Sequence, residues 1–142
     1  MKKSIFLLLV TIIVFISCSD NIQHKMNGFW QLQEITHPDG TMFVMDSIFY
    51  AFQRETLFSF TVMNDAESSS ISYGFIQYPD PNHIIIAMDT TGLSQGGMTN
   101  VDNDFLLRSG WNDYRDTFNI KLNGKNLYLT DNYNKKYSFR KY

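Results

Sequence analysis

The fold is decided by the stretch TFNIKLNGKNLYLTDNYNKKYSFRKY, residues 117–142, in which apolar and polar side chains alternate. Successive side chains of a strand point to opposite sides, so the apolar residues at alternate positions from Phe118 to Leu122 share one face. Asn123-Gly124 supplies the residue types that a tight hairpin turn requires. Two more alternating runs follow it. The stretch therefore predicts an antiparallel meander of three strands.

The same alternation continues toward the N-terminus. A first strand is expected at 29–37, followed by a turn at PDG, residues 38–40, where proline sets φ and glycine tolerates a positive φ. The segment 41–53 predicts one bent strand or two short ones. Further strands are expected at 56–63, 71–78 and 83–88. Eight or nine strands joined by short turns predict an all-β domain, built as an antiparallel barrel or as a sandwich.

One connection breaks this pattern. Residues 89–104, DTTGLSQGGMTNVDND, show no clear period and are long for a link within a compact domain. Two motifs in it each lack a residue that their function requires. GLSQGGMT at 92–99 resembles a phosphate-binding loop but has Met98 in place of the essential lysine. NVDND at 100–104 imitates the start of a calcium loop, yet Phe105 takes the place of its glycine. The segment is interpreted as a lid, a binding loop or a mobile connection.

Size and charge limit the function. The chain has 142 residues and a formal net charge of −2, which suits one domain. No basic stripe is present to neutralise phosphates, so we expect no nucleic-acid partner. A small basic cluster near the end of the chain is expected to be the solvated face of the final strand. It consists of Lys135, Lys136, Arg140 and Lys141.

The N-terminus has the layout of an export signal. Two lysines precede an apolar run at 5–16 that is too short to span a bilayer. The run ends at FISC, which resembles the lipobox of bacterial lipoproteins and contains the chain's single cysteine, Cys18. We therefore predict a lipoprotein signal peptide at 1–17, a lipidated Cys18 with its tether at 18–26, and a folded domain at 27–142. The alternatives are an ordinary signal peptide with a chance cysteine, and an uncleaved anchor.

Two short motifs carry a family resemblance. Gly28-Phe29-Trp30 opens the first strand, and Tyr137-Ser138-Phe139-Arg140-Lys141 forms the last one. With the lipobox before them, they resemble the lipocalin-like lipoproteins of Gram-negative gut bacteria. The resemblance implies an up-and-down β-barrel of about eight strands, with Gly28, Trp30 and Arg140 as structural residues and Arg140 packed over Trp30. It also implies a lipid-anchored protein of the cell envelope, at the outer membrane, with the leaflet left open.

No active site is visible in the sequence. The three histidines lack metal-ligand spacing, no nucleophile elbow is present, and no metal or cofactor is predicted. Glu34 alternates onto the face of Trp30, which would place its carboxylate inside a barrel, where it would orient a ligand or act as an acid–base residue. The alternative is a hydrogen-bonded side chain or one exposed at the rim. One carboxylate is not a mechanism, so an enzyme is the least favoured hypothesis.

Several strands carry apolar residues on both faces, more than a barrel interior needs. This surplus predicts a covering loop, a partner surface, an aromatic-lined pocket or simply a large ordinary core. The favoured function is a membrane-anchored protein that holds a small hydrophobic ligand in the barrel. The candidate ligand-binding residues are Trp30, Glu34, Tyr50 and Phe60. The alternative is an envelope accessory lipoprotein with a filled barrel, which binds an unidentified protein or a glycan through its loops.

Overall fold

The computed structural model of the chain describes residues 21–62, 69–90, 106 and 109–142. These residues include one short helix, α1 (Ile22–Met26), and a set of antiparallel strands. In chain order the strands are β1 Gly28–Thr36, β2 Met42–Val44, β3 Ile48–Gln53, β4 Thr56–Val62, β5 Ser69–Asp80, β6 His83–Met88, β7 Arg115–Asn123, β8 Asn126–Thr130 and β9 Lys136–Lys141.

The strands form a closed barrel. Their order in the sheet is β2-β1-β3-β4-β5-β6-β7-β8-β9, every pairing is antiparallel, and β1 pairs in addition with β9. This last pairing joins the first long strand to the final one, so β1 and β3 to β9 make an eight-stranded barrel, with β2 added at one edge. The predicted all-β, up-and-down barrel is confirmed. A sandwich is excluded because a single sheet closes on itself.

The two ends of the barrel differ. What we call the lower end holds α1, the start of β1, the finish of β9 and the tight turns that link β3 to β4, β5 to β6 and β7 to β8. The upper end holds the β1–β2 turn, the long connection from β6 to β7 and the turn from β8 to β9. The short lower turns leave α1 as the main cover there. The upper end receives the longer segments.

Two predicted turns are confirmed. Gly124 follows β7 with φ 58°, and Asn123 pairs with Asn126 across the turn. At the other end Gly40 has φ 87° and donates its N–H to the carbonyl of His37, 2.9 Å away. Glycine is favoured at both positions because a left-handed φ brings the Cβ of any other residue close to its own backbone.

The segment 41–53 forms two short strands rather than one bent strand. β2 stays with the upper part of β1, where Glu34 pairs with Val44, whereas β3 joins the lower part, where Trp30 pairs with Tyr50. All three residues of β2 are exposed. β1 therefore changes neighbour along its length, and the upper end carries a free strand edge at β2.

The interior is built by alternation. In β6, Ile84, Ile86 and Met88 are buried while Ile85 is half-buried. The surplus of apolar residues lies on the outer face of the barrel, where Phe29 and Phe75 are exposed. Among the described residues, the large buried apolar side chains are Met26, Trp30, Leu32, Ile35, Ile48, Tyr50, Phe52, Leu57, Ile76, Ile84, Ile86, Met88, Trp111, Phe118, Leu127, Leu129, Tyr137 and Phe139.

A short helix precedes residue 27, the predicted start of the folded domain. Residues 22–26, expected to belong to the tether, form α1, and the Asn21 side chain caps it by accepting the N–H of Gln23 at 3.1 Å. Met26 at its end is fully buried against the core. The sequence signal for this element is weak because five residues are too few to show a helical period.

Candidate functional site

The interior of the barrel is an aromatic cluster. Tyr50 lies at its centre, with ring centroids 5.0 Å from Phe139, 6.2 Å from Phe52 and 6.2 Å from Trp111. The cluster continues upward, since the Trp111 ring lies 5.1 Å from Phe118. Rings at these distances, tilted or edge to face, contribute beyond their simple burial. The interior is thus an apolar cluster of rings, formed by side chains of β3, β7, β9 and the 109–114 segment.

Trp30 is the lower boundary of this interior. It is fully buried, and its indole N–H donates to the carbonyl of Met26 at 2.7 Å, which fixes α1 across the lower end. The cation over its ring is Lys141, whose Nζ lies 5.1 Å from the ring centroid. The same ammonium lies 3.5 Å from the carbonyl of Lys25, near the C-terminus of the helix. Lysine is favourable there because the last carbonyls of a helix carry partial negative charge.

The expectation that Arg140 packs over Trp30 is therefore wrong by one residue. Register explains it: Trp30 pairs with Lys141, whereas Arg140 pairs with Gln31. Because successive side chains of a strand point to opposite faces, Lys141 shares the inner side with Trp30 and Arg140 belongs to the outer face. Arg140 is exposed. Gly28 begins β1 with φ 122°, a conformation that favours glycine.

Glu34 does not point into the barrel, so the inward position is wrong and the alternative of a hydrogen-bonded side chain at the rim is the one that the structure shows. The register between β1 and β9 shifts at this point: Leu32 pairs with Phe139, but Glu34 pairs with Ser138, so Gln33 is an extra residue in β1. Such a bulge reverses the phase of alternation. Ile35 is therefore buried and Glu34 is half-exposed, where its Oε1 accepts the Thr36 hydroxyl at 2.7 Å. Glu34 does not contribute a carboxylate to the interior.

Tyr50 does lie in the interior, as predicted for a ligand-binding residue. It is fully buried, and its hydroxyl makes no hydrogen bond of good geometry to the residues that the structure describes, although the Trp111 side chain interacts with it. Burial raises the pKa of Tyr50 well above its ordinary value, and the hydrogen-bond interaction with the Trp111 side chain opposes this rise in part. The group is therefore a neutral hydroxyl. Leaving such a hydroxyl unpaired costs on the order of 1–3 kcal/mol.

Phe60, the remaining candidate, lies in β4, where its Cα pairs with those of Phe49 and Ile71. Its side chain falls outside the described residues. So do Cys18, the region before residue 21, and most of the 89–104 segment with its two motifs. The predicted roles of these residues stay predictions.

The upper end is covered by the 109–114 segment. Trp111 enters the aromatic cluster from it, and two side chains bind the carbonyl of Gly110: the ammonium of Lys135 at 2.6 Å and the hydroxyl of Tyr137 at 2.9 Å. The same ammonium donates to Oδ1 of Asn112 at 2.9 Å. Hydrogen bonds that involve a charged group are stronger than neutral ones. These contacts hold the 109–114 segment, and with it Trp111, onto the barrel.

This polar network is missing from the sequence-based prediction. Lys135 was expected to be solvated, but only 8% of it is exposed. The reason is the β8–β9 turn, in which Asp131 Oδ1 accepts the backbone N–H groups of Tyr133 and Lys135 at 2.9 and 2.8 Å. This turn directs Lys135 inward. A carboxylate followed by a lysine at a strand turn is too common a pattern to signal burial from sequence alone.

Two buried carboxyl groups lie near the hydrogen bonds that hold the 109–114 segment. Asp131 and Asp116 are both nearly inaccessible to solvent. The pKa of Asp116 is raised, first by burial and then by the neighbouring carboxylates, while the N–H of Thr117 and the charge of Lys135 oppose the rise. Burial also raises the pKa of Tyr137, and Tyr50 and Asp131 nearby raise it further. Tyr137 thus remains a protonated donor to Gly110. The described groups hold the segment in place and show no nucleophile–base pair.

Within the described residues, no three His, Cys, Asp or Glu side chains cluster in a way that could hold a metal ion. The part of the chain that the structure describes has no helix long and apolar enough to cross a membrane.

The closed barrel and its aromatic interior define a class of protein, the small antiparallel β-barrels that close on themselves. Within that class the family can be stated, because the lipocalin-like domain family matches residues 12–142 of the chain. The chain belongs to the lipocalin-like domain family. This confirms the resemblance carried by Gly28, Trp30 and the final strand.

Known structures agree with this assignment. An uncharacterised protein from Bacteroides eggerthii is 31% identical, with a TM-score of 0.66, over 82% of this chain and 98% of its own. A lipocalin-like protein from Bacteroides uniformis is 24% identical, with a TM-score of 0.67 and the same two coverages. A protein from Burkholderia xenovorans, 13% identical over 84% of this chain and 86% of its own, has a TM-score of 0.52 and shares the fold. No curated protein matches the chain.

Proposed function

We propose that this chain is a membrane-anchored, lipocalin-like binding protein that holds a small hydrophobic ligand inside the barrel. The observation that carries the proposal is the Tyr50 hydroxyl, which is buried in an aromatic interior beside the Trp111 side chain and makes no hydrogen bond of good geometry to the described residues. An apolar site with one well-placed polar group is the usual character of a small-molecule site. The ligand would be largely apolar and would carry one hydrogen-bonding group, which Tyr50 recognises.

The ligand would enter from the upper end. At the lower end Trp30 is bonded to α1, and short turns join the strands. At the upper end Trp111 stands between Tyr50 and Phe118, on a segment held by a few hydrogen bonds. Moving the 109–114 segment outward would withdraw the Trp111 ring from the cluster and leave its volume to the ligand.

The anchor in this proposal is Cys18. The lipobox-like sequence before it supports cleavage after residue 17 and lipidation of the cysteine, and we propose the outer membrane as its location. Acyl chains contribute about 0.8 kcal/mol per buried methylene, so a multiply acylated cysteine would hold the domain at a membrane. Lipocalin-like proteins are generally binding proteins rather than enzymes, and the proposed role is of the same kind.

Native mass spectrometry tests the ligand directly. The chain 19–142 would be purified from cells and its mass measured before and after extraction with organic solvent. An extractable mass of a few hundred daltons supports the proposal and identifies the class of ligand. A clean protein mass, unchanged by a panel of fatty acids, phospholipids and haem, contradicts it.

A matched pair of variants then tests the site. Tyr50→Phe removes the hydroxyl in the aromatic cluster, whereas Tyr78→Phe removes another buried hydroxyl without a described partner, on β5 beside the lower end. If Tyr50 recognises the ligand, Tyr50→Phe weakens binding about tenfold, as loss of one buried hydrogen bond implies, and Tyr78→Phe leaves it unchanged. Equal effects of the two substitutions argue against recognition by Tyr50.

A second candidate function has its own support. The described interior is packed with rings, and the exposed edge strand β2 carries Met42, Phe43 and Val44 at the upper end. A filled barrel that binds a protein or a glycan through its upper end accounts for both features. In that case no ligand mass is found, and the triple substitution Met42→Ser, Phe43→Ser and Val44→Ser abolishes binding to the partner while Tyr50→Phe does not affect it.

A further inference from the structure

Three aromatic side chains are exposed around the lower end of the barrel. Phe29 is 48% exposed, Phe75 53% and Tyr142 86%. Each lies beside α1 or the strand ends next to it: Phe29 follows the helix in β1, the N–H of Tyr142 donates to the carbonyl of Phe29 at 2.9 Å, and Phe75 shares a cleft with Gln23 of the helix. We call these three residues the lower aromatic surface.

Neighbouring rings hold this surface in place. Phe49 lies edge to face with Tyr142, with centroids 5.7 Å apart, and Tyr73 packs against Phe75 at 5.1 Å. Single exposed apolar residues are ordinary on protein surfaces, but several ordered rings at one end of a barrel are typical of a binding surface.

The charges of the described residues are divided between the two ends. Toward the lower end the basic residues are Lys25, Arg54, Lys121, Lys125, Arg140 and Lys141, and the acidic ones are Glu55 and Asp80. The upper end carries Glu34, Asp39, Asp46, Asp89, Asp113, Asp116 and Asp131 against Arg115, Lys135 and Lys136. The lower end is therefore net basic, although the whole chain has a net charge of −2. Aromatic rings surrounded by basic residues favour binding to a surface whose outer layer is anionic and whose interior is apolar, as in a bilayer with anionic headgroups.

The position of Cys18 indicates which surface would lie next to the lower end. Asn21, the first described residue and the cap of α1, is three residues beyond Cys18. Even fully extended, that length of chain spans only about 11 Å. A lipid on Cys18 would thus keep the lower end within reach of the headgroups, whereas the upper end lies at the far side of the barrel.

We propose that the lower aromatic surface docks onto the anionic lipid surface in which Cys18 is anchored, and so holds the barrel upright with its upper end away from the membrane. This inference rests on the lipid anchor proposed above. Aromatic rings of a docked surface enter the boundary between headgroups and acyl chains, about 5–10 Å deep. The upper end, with the 109–114 segment and β2, then faces the solvent.

The test measures the depth of two sites in the lipidated protein. Because Cys18 is occupied by lipid, an introduced cysteine is the only free thiol. Asn126→Cys at the lower end and Asn132→Cys at the upper end, both exposed positions, are each labelled with a fluorophore. The proteins are reconstituted into vesicles of phosphatidylethanolamine and phosphatidylglycerol that contain a nitroxide-labelled lipid. We expect quenching at position 126 and none at position 132.

Two triple variants separate docking from simple tethering. Phe29→Ser, Phe75→Ser and Tyr142→Ser together should reduce quenching at position 126 to the level of position 132. The control replaces the same number of exposed apolar residues at the other end, Met42, Phe43 and Val44, by serine, and should leave quenching at 126 unchanged. Circular dichroism verifies that both variants keep the fold.

The outcomes are distinct. Vesicle flotation reports on the anchor: a mature protein that does not float contradicts lipidation of Cys18 and, with it, this inference. A protein that floats, but whose two positions are quenched equally, keeps its anchor and overturns the docking. Quenching at 126 that survives the Phe29, Phe75 and Tyr142 substitutions also overturns it, because the tether alone would then account for the proximity.

Discussion

At the scale of single residues, Trp30 and its neighbours show how one side chain can organise an end of the barrel. Its ring is covered by the ammonium of Lys141, and its indole N–H fixes the carbonyl of Met26. Lys141 in turn lies near the carbonyl of Lys25. A single lysine therefore links the last strand, the first strand and the helix. Arg140, next to it in the chain, takes no part because its side chain belongs to the opposite face of β9.

The first prediction compares these two basic residues. Lys141→Met removes the cation over Trp30 and its contact with the helix, and should lower the free energy of unfolding by about 1 kcal/mol. Arg140→Met removes an exposed charge and should change it by less than about 0.5 kcal/mol. Urea unfolding followed by circular dichroism measures both. A larger loss for Arg140→Met would contradict the assignment of Lys141.

The second prediction concerns the pH dependence contributed by Asp116. Because burial raises the pKa of this carboxyl in the folded state above its ordinary value of 3.8, its protonated form favours folding. That contribution is complete below about pH 3.8 and is lost as the pH rises through the folded-state pKa. Above that pH the ionised group opposes folding.

Asp116→Asn should therefore stabilise the protein at pH 7, because the amide carries no charge and its Oδ1 can still accept the N–H of Thr117, now 2.7 Å from Asp116 Oδ1. The gain should disappear near pH 3. Thermal unfolding across this pH range gives the answer. Asp46→Asn is the control, at an exposed carboxylate that does not contribute to the pKa shift of Asp116. A gain from Asp116→Asn that does not depend on pH would argue for packing rather than charge as its cause.

At the scale of elements, the bulge in β1 decides which side chains reach the interior. If β1 alternated regularly from Trp30, with Gln33 counted as an ordinary strand residue, Glu34 would lie inside and Ile35 outside. Because Gln33 is instead an extra residue in a bulge, Ile35 is buried and pairs with Tyr137. The bulge also frees the carbonyl of Gln33 to accept the N–H of Met45 at 2.8 Å, at the point where the chain passes from β2 to β3. The bulge thus shifts the inward-facing positions of β1 by one residue and lies where β1 changes its paired strand from β3 to β2.

The third prediction deletes one residue on either side of Leu32. Deleting Gln33 removes the bulge but keeps Leu32 and Ile35 on the inner face, so the protein should still fold. The free energy of unfolding should fall by about 1–2 kcal/mol, because the hydrogen bond from Met45 to the carbonyl of Gln33 is disturbed. Deleting Gln31 instead turns Leu32 outward and Gln33 inward, which should cost about 3 kcal/mol or more. Urea unfolding of the two deletion variants provides the comparison, and similar losses would show that the bulge does not set the phase.

At the scale of the whole molecule, stability depends on closure between β1 and β9. These two strands are near opposite ends of the part of the chain that the structure describes, and their pairing removes two open edges from the sheet at once. Tyr137 and Phe139 of β9 also belong to the aromatic interior. Without β9 the interior would be open to water along its whole length. Closure by distant strands also implies slow folding, because the pairing joins residues far apart in sequence.

The fourth prediction tests closure by truncation. A chain that stops at Lys135 lacks β9 and should show no cooperative unfolding transition. A chain that stops at Lys141 loses only Tyr142, which is 86% exposed, and should unfold cooperatively with nearly the stability of the full chain. Thermal unfolding monitored by near-ultraviolet circular dichroism distinguishes the two. A cooperative transition in the shorter chain would mean that the β1–β9 pairing is not required for the fold.

The sequence by itself determined the class of fold, most of the strands and the turns at PDG and Asn123-Gly124. These features depend on alternation and on backbone preferences within a few residues, which are local properties of the chain. It also placed Trp30 and Tyr50 correctly among the residues of the barrel interior. The family resemblance came from motifs of the same short range.

Only the tertiary structure decided the inner position of Lys141, the outward position of Glu34 and the burial of Lys135. The first depends on register between β1 and β9, the second on one extra residue in β1, and the third on a turn that directs an ammonium toward Gly110. Each requires knowledge of which distant backbone lies alongside. Because a shift of one residue moves every side chain of a strand to the other face, a pattern of alternation predicts the strand without fixing its partner.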